Sequence, residues 1–389
     1  MKIAQVSPYD INRPGGVQRH ICDLSAELIK LGHEVTVISP RVDSDTKVAL
    51  VSPTLGMSAI DYVGKGWLIA LNGTQFEITL ALGHERAYLD RLMQDGRFDI
   101  VHFHTLISPL MPMQVFLRSR CARVATFHNV PPDGTSGLIQ RFLQAVVGRT
   151  LMKHLDEVIL ASDVQKELYS IGEESPSHVL PPCVNLRRFD APVDPFAQYR
   201  SDRLNILFLG RLEPRKGAMV LVQAYRDLRH RGIAACLLVA GDGPERSSLE
   251  QFVQTHRVPD VIFLNTIPDA DLPRLYATCD IFCAPSLYGE GFGIVIAEAM
   301  ASGRPVVAAA NEGYRKLLQG EAAAFLVRPG DVDATSRKLE ALISDPLLCE
   351  RLGHWGRHEA KRYDSELLAP KFVAIYERVI RSRISRSKK

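Results

Sequence analysis

The chain alternates short β-branched runs with helical stretches, and it does so in two separate series. The first runs through Lys2–Val6, Glu34–Ile38, Asp99–Phe103, Val124–Phe127 and Val158–Ala161. The second starts at Leu204–Gly210 and continues through Cys236–Ala240, Val261–Leu264, Asp280–Ala284 and Pro305–Ala309. Strands joined by helix-length connections pair in parallel, and a parallel sheet needs helices on both faces. After the first strand, Val17, Ile21, Leu24, Leu28 and Leu31 make one apolar stripe, closed by Gly32. A proline-rich stretch from Pro181-Pro182 to Pro192 and Pro195 separates the series, which puts a hinge near 183–203. The fold class is therefore α/β, with two Rossmann-like domains at 1–185 and 200–365 and a C-terminal helix with a basic tail over 366–389.

Composition narrows the function. The 389 residues are 46% hydrophobic and 23% charged, which excludes a disordered or fibrous chain. A net charge of +3 does not call for nucleic acid as a partner. Residues 1–180 carry 17 basic and 19 acidic side chains, so the excess lies in the second half. Much of it is at the end, in Arg378, Arg381, Arg383, Arg386, Lys388 and Lys389. A solvated helix end is the plain reading of that tail; docking on an anionic membrane surface is the sharper one. No apolar run reaches the roughly 18–20 residues of a membrane span, and the start does not read as a secretory signal. Seven cysteines lack zinc-type spacing and read as buried small side chains in a reducing cytosol. The expected location is cytoplasmic, with peripheral contact at the inner face of the membrane resting on the tail.

Ligands of open parallel sheets bind beyond the carboxyl ends of the strands, so the chemistry is sought in those loops and in a cleft between the domains. Gly15-Gly16 follows a strand and opens a helix, whose bare N–H groups suit an anion; a tight turn without a ligand reads equally well. The G-x-G-x-x-G dinucleotide spacing is absent, which removes the main support for a nicotinamide enzyme. Gly210-Arg211-Leu212-Glu213-Pro214-Arg215-Lys216-Gly217 places three cations on one strand-end loop, suited to a diphosphate. Tyr288 through Glu298, with Gly291, Phe292, Gly293 and Ile294, opens another helix. Glu290 and Glu298 are too far apart for an acid/base pair across one bond, but can grip two parts of one elongated ligand. His102 and His104 share a strand face, and without a third ligand they read as packing or hydrogen-bonding groups; His128, at a strand end, is the better functional candidate.

Together these residues resemble a retaining glycosyltransferase of family 4, with the GT-B architecture of two Rossmann-like domains facing a central cleft. The resemblance covers essentially the whole chain. It rests on Gly15-Gly16-Val17-Gln18, Thr126-Phe127-His128, Gly210-Arg211 with Arg215-Lys216-Gly217, Gly241-Asp242-Gly243-Pro244, and Glu290-Gly291-Phe292-Gly293 through Glu298. Bacterial phosphatidylinositol mannosyltransferases share Pro8-Tyr9, the Gly-Gly-Val-Gln loop and Asn72-Gly73. The resemblance implies a hexose moved from a GDP- or UDP-sugar to a hydroxyl, forming an α-linkage in glycolipid or polysaccharide synthesis. Arg211 and Lys216 would hold the diphosphate, Glu298 the ribose, and Glu290 the sugar hydroxyls beside the backbone of Gly291, Phe292, Gly293 and Ile294. Gly16 would touch the phosphates, and His128 the sugar. Tyr9, Gln18, Asn72 and Gly73 would meet the acceptor. The resemblance implies no cofactor and no metal, since the cations do a metal's electrostatic work.

One stretch departs from the phosphoinositide-specific pattern. Where those relatives place arginines after the Asn-Gly pair, this chain has Glu77 and Thr79. The helix beginning at His84 has mixed charge where those relatives carry lysines. A neutral hydroxyl acceptor is therefore expected: a lipid-linked sugar, a diacylglycerol or a glycan. The rival readings are a nucleotide-sugar epimerase and a non-catalytic sugar-nucleotide-binding protein.

Overall fold

The computed structural model describes residues 1–42, 59–71, 74–106, 111–128, 151–161, 165–166, 177–200 and 202–387. The chain divides into two compact units, Met1–Asn185 with Asp364–Lys389, and Leu186–Tyr363. The sequence reading sets 366–389 apart as a helix and tail; here that segment returns to the first unit.

The first unit is built on eight strands: β1 Lys2–Val6, β2 Glu34–Val42, β3 Ala59–Leu71, β4 Thr74–Leu80, β5 Ile100–His104, β6 Ala122–Phe127, β7 Glu157–Leu160 and β8 Ser177–Val179. Their order is β4-β3-β2-β1-β5-β6-β7-β8. All neighbours are parallel except β3 and β4, which pair antiparallel from Lys65↔Leu80 to Leu71↔Thr74. That hairpin adds one antiparallel pair at the edge of an otherwise parallel sheet. It brackets Asn72 and Gly73, which lie outside the described residues. Asn-Gly between two strand-like runs is the strongest short hairpin signal, and it is the feature that foretells β3 and β4.

The strands β1, β5, β6 and β7 are buried on both faces, as parallel strands covered by helices must be. One of those faces is closed by the end of the chain. Leu368, Ala369, Phe372, Ile375, Tyr376 and Val379 of the helix Ser365–Ser387 pack with Ile3, Leu24, Leu28, Ile100 and Val124. Its cations are partly consumed by the fold: Arg378 Nη2 lies 2.6 Å from Glu157 Oε2, and Arg383 Nη1 2.9 Å from Asp156 Oδ2. Arg381 lies 3.7 Å from Glu377. A tail so engaged offers less charge to a membrane surface than its sequence suggests. No helix among the described residues is long and apolar enough to cross a membrane.

The second unit holds a six-stranded parallel sheet: β9 Leu204–Leu209, β10 Ala235–Ala240, β11 Val261–Leu264, β12 Ile281–Ala284, β13 Val306–Ala309 and β14 Leu326–Val327. The order β11-β10-β9-β12-β13-β14 reverses direction between β9 and β12. At such a reversal the outgoing loops diverge and leave a crevice at the strand ends. The loop after β9 carries the three cations and the loop after β12 carries Glu290, so the topology alone gathers the candidate residues. In the first unit the same reversal falls between β1 and β5.

Phe372 is fully buried in the first unit's core. Truncating it removes a large apolar side chain from a site that collapses only partly, so Phe372→Ala should cost about 3–5 kcal/mol. A urea titration showing less than about 1 kcal/mol would mean that the terminal helix is not part of the folded core.

Candidate active site

The loop after β9 is held in place by glycines on the neighbouring loop. Gly241, with φ of 130°, lies so close to the β9 loop that a Cβ there would stand 2.0 Å from the carbonyl oxygen of Gly210. Only glycine adopts that φ freely and leaves that space. The approach lets Leu212 N–H donate to Asp242 O at 2.9 Å and Glu245 N–H donate to Leu212 O at 2.9 Å. The Gly241-Asp242-Gly243-Pro244 motif thus supports the cation loop from behind. On the other side Leu287 N–H donates to the Arg215 carbonyl at 2.7 Å, tying that loop to the one after β12.

The three cations converge on two buried carboxylates. Glu213, only 1% exposed, takes Arg211 Nη1 on Oε1 at 2.9 Å and Arg215 Nε on Oε2 at 3.0 Å. Glu290 takes Lys216 Nζ at 2.6 Å and Arg215 Nη1 at 3.3 Å, both on Oε1. Three cations against two carboxylates leave one net positive charge. Burial raises the Glu290 carboxyl, but Lys216 and then Arg215 more than offset it and hold it below its ordinary value. Burial also lowers Lys216, against the pull of Glu290. The sequence reading assigns Glu290 to sugar hydroxyls and Lys216 to phosphate; the structure joins them as an ion pair. Glu213 and Arg215 stand in the quoted motif, yet spacing gives no sign that they tie the cluster together.

The loop after β12 leads into the helix Ile294–Ala301 through Gly293, whose φ is 103°. A Cβ at Gly293 would strike the Tyr314 ring at 2.6 Å. Tyr314 is fully buried and hydrogen-bonds Ser286 Oγ at 3.0 Å. Phe292 is buried and Gly291 and Ile294 are partly buried. Glu298 sits further along the helix, 3% exposed, and accepts from the Tyr276 hydroxyl at 2.9 Å.

In the first unit, Gly16 is exposed at the start of the helix Gly16–Lys30, whose first N–H groups have no side-chain cap. Gln18 is buried and donates to Asp10 O at 3.4 Å. Tyr9 is partly buried, and its carbonyl accepts from Ser7 Oγ at 2.6 Å. His128 is partly buried at the end of β6, next to fully buried His104, with 3.2 Å between His128 Nε2 and His104 Nδ1.

His20, His104 and His128 bring nitrogen atoms within 4.8 Å of one another, close enough to raise the question of a metal. The hydrogen bonds orient the rings. His20 Nδ1 accepts the Cys183 N–H at 2.8 Å, which puts its proton on Nε2, and His104 Nδ1 is engaged with His128. His104 and His128 are thus hydrogen-bonded to each other, while His20 Nε2 has no hydrogen-bond partner among the described residues. Burial pushes His20 down to about 4, and burial and mutual repulsion hold His102, His104 and His128 well below the ordinary histidine value.

Comparison with known proteins places this architecture among the glycosyltransferases. The family described as Glycosyltransferase Family 4 matches residues 14–188, and that described as Glycosyl transferases group 1 matches residues 194–359. A phosphatidyl-myo-inositol mannosyltransferase of Mycobacterium leprae is 30% identical, over 98% of each chain. One from Mycolicibacterium smegmatis is also 30% identical, over 97% of this chain and 94% of its own. Among solved structures, Anabaena Alr3699/HepE in complex with UDP and glucose superimposes with a TM-score of 0.76 at 19% identity, covering 97% of this chain and 99% of that one. The two parallel-sheet α/β domains are those of a GT-B glycosyltransferase. The chain belongs to glycosyltransferase family 4. That membership does not favour the epimerase or the non-catalytic binding protein.

Two outcomes follow from this geometry. Lys216→Ala should lower turnover by more than ~100-fold, the scale of losing one donor aimed at developing charge; turnover within about threefold of wild type would remove Lys216 from that role. The histidines give a pH signature. Each has a folded-state pKa below the unfolded value of 6.5, so their stability is complete above pH 6.5 and is lost as pH falls from 6.5 toward about 4. Tm measured between pH 7.5 and 4.5 should therefore fall on acidification, and less steeply in His20→Asn; a Tm independent of pH would contradict the burial argument.

Proposed function

We propose that the chain transfers a hexosyl group, mannosyl first among the candidates, from a nucleotide-sugar to a hydroxyl acceptor, with retention and without a metal. The observation that carries this reading is the cluster of Arg211, Arg215 and Lys216, held with one net positive charge at the strand reversal of the second unit. A departing diphosphate needs preorganised cations where its charge grows, in a site largely shielded from water. Arg211 and Lys216 fill that role, Arg215 and Glu213 set their positions, and Glu298 is the group for the nucleotide ribose. Glu290 serves the transferred sugar together with the backbone of Gly291, Phe292, Gly293 and Ile294, while also fixing Lys216. Gly16 offers its helix-end N–H groups to the phosphates, and His128 meets a sugar hydroxyl. In the step itself the bond from the anomeric carbon to the diphosphate oxygen breaks as the acceptor oxygen bonds to the same face. The acceptor's proton passes to the departing phosphate, so no separate general base is required.

Mannose is placed first because the M. leprae and M. smegmatis relatives are named mannosyltransferases. The Anabaena structure, with UDP and glucose, keeps a uridine donor in the panel. For the acceptor we favour a neutral hydroxyl on a lipid-linked sugar, a diacylglycerol or a glycan. Tyr9 and the loop that Gln18 braces lie on the acceptor side in this reading, and Asn72 and Gly73 are assigned there with them. Glu77 lies on β4 opposite Leu68 and would oppose an anionic head group. Thr79 is only 1% exposed, so it takes no part in that discrimination. The second reading, an inositol phospholipid acceptor, has the names of the relatives in its favour.

A thermal-shift panel of GDP, UDP, ADP and their sugars in EDTA tests the donor. One base at ~100 times its Kd should add about 2.7 kcal/mol of stability, and Arg211→Ala should abolish it. No shift with any nucleotide would sink the reading. Product analysis with neutral and anionic lipid acceptors then tests the acceptor: Glu77→Arg should raise use of the anionic one, and an unchanged ratio would show that Glu77 does not discriminate.

A further inference from the structure

A single hydrogen-bonded chain runs through the interior of the first unit and ends on His128. It begins at Thr126 Oγ1 on β6, which lies 2.7 Å from His102 Nε2 on β5. His102 Nδ1 is 2.7 Å from the hydroxyl of Tyr376 on the terminal helix. Gln5 of β1 donates its amide N–H to that hydroxyl at 3.3 Å and turns its carbonyl oxygen to His104 Nε2 at 2.7 Å. His104 Nδ1 then meets His128 Nε2 at 3.2 Å. Thr126, His102, Tyr376, Gln5 and His104 are all buried, and four segments far apart in the chain supply them.

A neutral imidazole has one N–H and one lone pair, so each link dictates the next. Burial keeps His102, His104 and His128 neutral, as the rule requires. The Gln5 carbonyl accepts from His104 Nε2–H, which leaves His104 Nδ1 bare. His128 must therefore donate from Nε2, and its own lone pair falls on Nδ1. In the other direction the Gln5 amide donates to the Tyr376 oxygen, Tyr376 donates to His102 Nδ1, and His102 donates from Nε2 to Thr126. All five links are satisfied in one sense, with no two donors or two lone pairs facing each other. His20 stands beside the chain with its ring edge-on to those of His104 and His128, centroids 5.1 and 5.2 Å away. Its proton lies on Nε2, which has no partner among the described residues, so it does not feed the chain.

We propose that Gln5, His104 and Tyr376 are positioning residues that lock His128 in its Nε2–H tautomer, making Nδ1 an obligate acceptor for one hydroxyl of the transferred sugar. The proposal rests on the reading of His128 as a sugar contact given under Proposed function. It adds why that contact is polar in one sense: an acceptor-only nitrogen rewards a hydroxyl, and loses its partner when the sugar lacks it.

The test uses the full chain labelled with 15N histidine, with the His128 ring assigned by its loss in His128→Asn. In the wild type between pH 6.5 and 8, His128 Nε2 should give the signal of a protonated ring nitrogen and Nδ1 that of a bare one. Gln5→Leu removes the acceptor that orients His104 and should give His128 a mixed tautomer. Its kcat should fall about tenfold while KM for the donor changes less than about twofold, the pattern of a group that acts in the transition state rather than in uniform binding. Tyr376→Phe, which keeps the ring but frees the Gln5 amide to turn, should show the same mixture and serves if Gln5→Leu fails to fold. A wild-type His128 with its proton on Nδ1 overturns the proposal, as does an unchanged His128 tautomer in both variants. Should the wild type turn over no donor, the transfer reading fails, while the spectrum still decides the tautomer.

Discussion

A charged carboxylate cannot remain buried alone, and that constraint organises the second unit. Glu213 and Glu290 are enclosed, so each must be surrounded by cations. Meeting that need draws Arg211, Arg215 and Lys216 into one cluster and ties the loop after β9 to the loop after β12. Behind the loop after β9, Gly241 lies so close to Gly210 that no side chain fits between them. The pairing leaves the three cations fixed in place with a single net positive charge.

The first unit uses neutral groups in a comparable way. Among its interior polar side chains, Gln5, His102, His104, Thr126 and Tyr376 come from β1, β5, β6 and the terminal helix, and their hydrogen bonds join into one chain. Buried polar groups of this kind are tolerable only when each is satisfied. The terminal helix therefore has two duties. It covers one face of the sheet with apolar side chains, and its Tyr376 supplies the hydroxyl that links Gln5 to His102. Two of its arginines are spent on Asp156 and Glu157, which makes the basic end of the chain more a structural clamp than a free charged arm.

Much of the fold was legible in the residues. Lys2–Val6 and Val261–Leu264 run over the expected residues, because short runs rich in β-branched and apolar side chains between turns read as strands. The β3–β4 pairing does not show in the periodicity, because the resemblance reads Asn72-Gly73 as an acceptor motif and β3 before it carries no strict alternation. The short edge strands β8 and β14, of three and two residues, lack the length to show a pattern. At the site, the cations and glutamates stood out as residue types, but the pairing of Lys216 with Glu290 and the part of Glu213 did not.

The sequence by itself determined the alternation of elements, the two-domain plan and the family, because periodicity and short motifs are local and survive in one dimension. Tertiary structure alone decided which charges neutralise one another, and that Tyr376 meets Gln5 across 371 positions of chain. It also decided that His104 and His128, 24 positions apart, meet nitrogen to nitrogen. Those outcomes depend on which side chains share a low-dielectric interior, where an unpaired charge or an unmatched donor is costly, and no local pattern encodes that sharing.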